Sequence, residues 1–200
     1  MTMLRRPLVS GLLGLITLAT VPPAEAAVVV AFHTAETGSE LFTLTSPTTN
    51  HAVATGTGTG TLGAFTSSGS QDSDFTNPAM QVVSNGLFTQ DYGGGSTLSG
   101  TFTGTADQTN ASGGDFTLSI PTIAGSGALS GVIGGSGVAT GTFQFVGANP
   151  DGTLNLTYTL SLTGTLDVIP EPATCLLLGM SVVGLAMLTR RRAYANASSR

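Results

Sequence analysis

The segment Leu154 to Val168, LNLTYTLSLTGTLDV, sets the tightest limit on how this chain folds. Leu154, Leu156, Tyr158, Leu160, Leu162, Leu166 and Val168 alternate with polar residues, and a period of two puts all of them on one face of an extended strand. A helix would scatter the same residues around its circumference. The run is long for an ordinary strand, so Gly164 is expected to mark a bend or bulge within it. Just upstream, Asn149-Pro150-Asp151-Gly152 carries turn chemistry, with Thr140 to Val146 as the hairpin partner.

The same alternation appears in Leu98 to Ala106, where Leu98, Phe102 and Ala106 share a side, and in Phe116 to Ile120, which follows a predicted turn at Gly113-Gly114. Gly93-Gly94-Gly95-Ser96 and Gly134-Gly135-Ser136-Gly137 are predicted as further turns between strands. A short phrase recurs as Thr59-Gly60-Thr61-Leu62, Ser99-Gly100-Thr101-Phe102, Thr140-Gly141-Thr142-Phe143 and Thr163-Gly164-Thr165-Leu166, which suits β-branched threonine outside and close packing at glycine inside. No helical period persists except in two terminal apolar segments. The expected fold is therefore all-β, an antiparallel barrel or sandwich of about eight strands. It is flanked by an N-terminal signal helix and a C-terminal transmembrane helix.

Both flanks read as addresses. Met1 to Arg6 is a positive n-region, Leu8 to Thr20 is apolar, and Ala24 and Ala26 are the small residues a signal peptidase inspects, so residues 1–26 form a signal peptide cut after Ala26. Residues 27–167 are then a secreted Gly/Thr-rich domain. Near the other end, residues 173–189 make about 25 Å of apolar helix, just enough for a thin membrane. Arg190, Arg191 and Arg192 form a stop-transfer cluster that stays cytoplasmic, with 193–200 as a short cytoplasmic tail. Cys175 lies within this apolar run and has no second cysteine to pair with. Pro170 and Pro172 hold the preceding chain extended, in a form a protease or transpeptidase can grip.

Val168-Ile169-Pro170-Glu171-Pro172-Ala173-Thr174, a short apolar helix and then three arginines resemble the PEP-CTERM sorting signal of Gram-negative bacteria, here spanning 168–192. The tail after the arginines is longer than such signals usually have. The resemblance implies signal peptidase and an exosortase as processing partners, an inner-membrane precursor, and delivery to the cell surface or to an extracellular matrix associated with biofilm and exopolysaccharide. In the body, the order of GTGTGTLGAFTSSGS, STLSGTFTG, IPTIAGSGALSGVIGGSG and NLTYTLSLTGTL is similar to that of small secreted relatives of the allene oxide cyclase and dirigent barrels. The third block departs from the glycine-rich GGTGxF form of that family.

Charge narrows the functions further. Every arginine lies in a terminal segment and lysine is absent, so the body carries acids only and phosphate-backbone binding is disfavoured; nucleic acid is not an expected partner. Gly58-Thr59-Gly60-Thr61-Leu62-Gly63 matches GxGxxG in spelling but lacks the strand-to-helix setting a dinucleotide needs. His33 and His51 stand beside no GxSxG serine and no HExxH pair. Asp72-Ser73-Asp74 is a weak cation candidate, expected on a loop and lacking the rest of an EF-hand, so no metal and no cofactor are assigned. The sequons at Asn110 and Asn155 mean little in a bacterial setting. Three classes remain. The leading one is a non-enzymatic structural or adhesive surface protein. The second is a barrel that binds carbohydrate or a small ligand, for which Tyr92 and Tyr158 are the only tyrosines of the body and tryptophan is absent. The third is a barrel enzyme with an interior lined by carboxylates.

Overall fold

The computed structural model describes residues 26–169 apart from 78 and 111. The chain before Ala26, including Ala24, lies outside the described residues. So do Pro170, Glu171, Pro172, the 173–189 segment with Cys175, Arg190, Arg191, Arg192 and the 193–200 tail. Among the described residues no helix is long and apolar enough to cross a membrane.

Eight antiparallel strands follow one another around a closed barrel. They are β1 (Val28–Leu44), β2 (Thr49–Gly60), β3 (Gly63–Asp74), β4 (Gln81–Asp91), β5 (Thr97–Asn110), β6 (Gly113–Ser126), β7 (Val132–Ala148) and β8 (Leu154–Val168). A single 3-10 turn, Gly127–Leu129, sits between β6 and β7. The barrel closes because β1 pairs with β2 along one side and with β8 along the other, from Val28 opposite Val168 to Phe42 opposite Leu154. Between barrel and sandwich, the closed ladder decides for the barrel.

Alternation sorts the side chains. Even-numbered residues of β8 face inward, and Leu156, Leu162 and Leu166 are each 2% exposed. Outward residues are mostly threonine and serine. Thr66, Thr57, Thr37, Thr159 and Thr142 lie side by side across β3, β2, β1, β8 and β7, with Asp91 and Asp115 as their outer neighbours. Thr142 and Thr159 share a hydrogen bond of 3.0 Å between their hydroxyls.

Inward aromatics face glycines. Phe32 lies opposite Gly164, Phe65 opposite Gly58, Phe88 opposite Gly100, Phe102 opposite Gly86, Phe116 opposite Gly141 and Tyr158 opposite Gly38. A Cβ at Gly141 would sit 2.5 Å from the Phe116 ring and one at Gly38 2.5 Å from the Tyr158 ring. An eight-stranded barrel is only just wide enough for its side chains. Each ring therefore lies over a neighbouring strand that offers no side chain of its own.

This crowding corrects several sequence expectations. Gly164 marks no break, and β8 runs unbroken through it because glycine there accommodates Phe32. Gly113 and Gly114 lie within β6, and Gly134 to Gly137 lie within β7, where the backbone of β8 and the side chains of Leu162 and Leu166 approach Gly135 and Gly137 closely. The true turns nearby lie between Asn110 and Gly113 and between Ser126 and Val132. Gly93, Gly94 and Gly95 do form a turn, with φ of 85°, 61° and 79°, as does Gly152 at 87° in the β7–β8 hairpin.

The two ends of the barrel differ. At one end lie the start of β1, the end of β8 and the β2–β3, β4–β5 and β6–β7 connections. Here Phe32, Leu98, Ile123, Val132 and Leu166, none more than 5% exposed, pack into a solid floor. Burial of each large side chain contributes about 2 kcal/mol. At the opposite end, the mouth, the β1–β2, β3–β4, β5–β6 and β7–β8 connections surround a cavity.

Candidate functional site

The cavity occupies about 460 Å³ of the lumen, within the range of small-molecule sites. Its walls are unequal. Phe102, Phe116, Leu118, Ile120, Leu156 and Leu160, from β5, β6 and β8, form an apolar wall. Facing it, a polar stripe descends β1, β2 and β3 from the mouth: Asn50 and Ser73, then Gln71, then Glu40, then Ser67 and Glu36.

Glu36 is 9% exposed near the bottom of the stripe. Its Oε1 accepts hydrogen bonds from Ser67 Oγ and Tyr158 Oη, both at 2.5 Å. The arrangement depends on glycine. A Cβ at Gly56 would come within 2.7 Å of both Glu36 Oε1 and Tyr158 Oη, so β2 leaves the space the pair occupies. Burial, followed by the hydrogen bond to Glu36 and its negative charge, pushes the Tyr158 phenol well above its ordinary range. Tyr92, which donates to Gln90 Oε1 at 3.0 Å, is pushed up to about 12 by burial and then by the charge of Glu36. Both phenols therefore remain protonated donors at neutral pH.

Glu40 lies four residues nearer the mouth on the same strand, roughly 13 Å along it. Gln71 Nε2 donates to its Oε1 at 2.9 Å. The carboxyl touches the lumen, so it is not fully covered, but protein surrounds it on nearly every other side. That burial pushes it up to about 7, with the Gln71 hydrogen bond opposing the rise. A carboxyl poised near neutrality can give or take a proton, and it can hold a cation once ionised. At the mouth, Asn50 is 6% exposed and its Oδ1 has no partner among the described residues. Deeper in the barrel the Thr34 hydroxyl, 0% exposed, is likewise unpartnered.

The residues singled out from sequence lie elsewhere. Asp72 and Asp74 are on β3, not on a loop as expected, because β3 extends through Asp74 in register with β2. They do not converge. Asp72 accepts from Asn85 Nδ2 and His51 Nδ1, each at 2.8 Å, and these bonds, Asn85 first, hold its carboxyl below the ordinary range. Asp74 accepts from the Thr76 hydroxyl and backbone N–H, which lower it in the same way. No cluster of three potential metal ligands occurs among the described residues. His33 and His51 are on the outer face. Gly58 and Gly60 face inward on β2, and Gly63 begins β3 at φ 109°. Asn110 caps the β5–β6 turn through Ser112, and Asn155 donates to Asn149 Oδ1 at 2.8 Å.

Glu36, Glu40, Gln71 and Asn50 were not anticipated. A signal for the two acids was present: in Phe32, Thr34, Glu36, Gly38, Glu40 and Phe42 they share parity with the phenylalanines, so any strand that buries Phe32 and Phe42 turns both carboxyls inward. No family model matches the chain and no curated protein matches it.

Proposed function

We propose that this chain is an exported binding protein whose barrel lumen holds a small, largely apolar ligand, rather than a purely structural or adhesive surface protein. The observation that carries the reading is the lumen itself, open at one end, closed at the other, with an apolar wall facing a stripe of hydrogen-bonding groups. A barrel serving only as a structural unit gains stability by filling that space, since an unfilled cavity in a protein interior forfeits packing. Small ligand sites are typically apolar concavities with a few polar groups that orient the guest.

The delivery route follows from the ends of the chain. The signal peptide with Ala24 and Ala26, the Pro170–Pro172 triplet and Arg190–Arg192 support export through signal peptidase and processing by an exosortase, with the cell surface or matrix as destination and exopolysaccharide as a neighbour. The pairing of Val28 with Val168 brings the start and finish of the barrel together at its floor. A membrane-held precursor would therefore present its mouth outward.

The test is displacement of N-phenyl-1-naphthylamine, which fluoresces in apolar surroundings, from the wild-type chain and from Ala106→Trp, whose indole fills the lumen from β5. Saturable fluorescence in the wild type and its loss in a folded A106W are expected. Equal fluorescence from both would place the probe outside the lumen and refute the reading.

A further inference from the structure

The polar atoms of the lumen are unevenly spent. Around the two acids the donors already have acceptors: Ser67 Oγ and Tyr158 Oη both serve Glu36 Oε1, and Gln71 Nε2 serves Glu40 Oε1, while Tyr92 Oη serves Gln90. What remains unfilled at these carboxyls is accepting capacity. Each carboxylate has more lone pairs than these bonds occupy, and Asn50 Oδ1, on a side chain 6% exposed at the lumen wall, has no partner among the described residues. A guest that binds at these carboxyls must bring donors.

Charge adds a second, independent restriction. The ionisable side chains facing inward are Glu36, Glu40, Tyr92 and Tyr158, both histidines face outward, and there is no lysine or arginine between residues 7 and 189. A ligand carboxylate or phosphate would lie buried against negative charge with no cation to balance it, which is among the costliest arrangements in a protein interior. A protonated amine meets the opposite conditions, with several N–H donors and a charge complementary to the stripe.

We infer that the lumen selects amphiphilic amines, with the ammonium donating to the Glu40 carboxylate on β1 and the apolar body lying against the wall of Phe102, Phe116, Ile120 and Leu160. This rests on the lumenal reading above. Glu40 must be ionised to take part. The groups facing it are Gln71 from β3, Tyr158 from β8 and Glu36 on its own strand, while β2 contributes no inward ionisable group. Below neutrality, amine binding therefore expels the proton that Glu40 holds, so affinity falls as the solution is acidified.

The experiment is calorimetric titration of the full chain, kept soluble in amphipol, with hexylamine, 1-hexanol and hexanoate, using A106W to subtract binding outside the lumen. Hexylamine is expected to bind about tenfold more tightly than hexanol, the scale of one charge-assisted hydrogen bond, with hexanoate weakest. Glu40→Gln should reduce the preference for amine over alcohol to near unity. Hexanoate binding as well as hexylamine, or an undiminished amine preference in Glu40→Gln, overturns the inference but leaves the lumenal reading standing. If none of the three binds differently to wild type and A106W, both readings fail.

Discussion

Glu40 ties stability to pH in a direction opposite to most carboxylates. Its folded value of about 7 lies above the 4.5 of an ordinary glutamate, so the native state holds the proton more tightly than the unfolded chain does. The associated stabilisation is complete below about pH 4.5 and is lost as pH rises through 7, a loss of about 1–3 kcal/mol once water in the lumen is allowed for. Asp72, Asp74 and Asp151, whose hydrogen bonds lower them, act in the reverse sense at more acid pH. Comparison with E40Q isolates the effect. In urea melts, the stability of wild type relative to E40Q should drop between roughly pH 5 and roughly pH 8, and parallel curves would contradict the assignment. The parity of Glu36 and Glu40 with Phe32 and Phe42 is visible in the sequence, but the role of these acids is not. Ser67, Gln71 and Tyr158 come from strands distant along the chain, and nothing local predicts that they will converge.

Strands were legible where apolar residues alternate and obscure where glycine takes the inward position. β8 shows leucine or tyrosine on nearly every second residue, and β5 carries Leu98, Phe102 and Ala106 on one side. β2 instead turns Ala52, Ala54, Gly56, Gly58 and Gly60 inward, a pattern without hydrophobic periodicity. The glycines of β7 look like a turn when considered alone, because the reason for them is the bulk of Leu162, Leu166 and Phe116 on adjacent strands. The contrast is measurable. At Gly141 an added methyl meets both the Thr159 carbonyl oxygen and the Phe116 ring, so Gly141→Ala should cost about 1–3 kcal/mol in a denaturant melt. At Gly147 the same methyl meets nothing within 4 Å, and Gly147→Ala should stay within about 0.5 kcal/mol of wild type. Equal costs at the two sites would mean that the ring-on-glycine contacts do not govern the packing.

For the molecule as a whole, alternation predicts an all-β body but cannot choose between a barrel and a sandwich, since both bury one face of each strand. The choice depends on β1 meeting β8, a pairing across nearly the full chain. That pairing holds Val28 beside Val168. A permutant that joins 168 to 28 through a short glycine-serine linker and opens the chain at 46–47, in the β1–β2 connection, should fold to the same barrel, with matching far-ultraviolet circular dichroism and retained probe binding. An unfolded permutant would show that chain order, and not only closure, is required. Closure has one more consequence. A ladder that returns to its own first strand leaves no free row of N–H and C=O groups on which another chain can template. An assembly of these barrels would hold separate, countable units, because the ladder of the described strands offers no edge on which to add another.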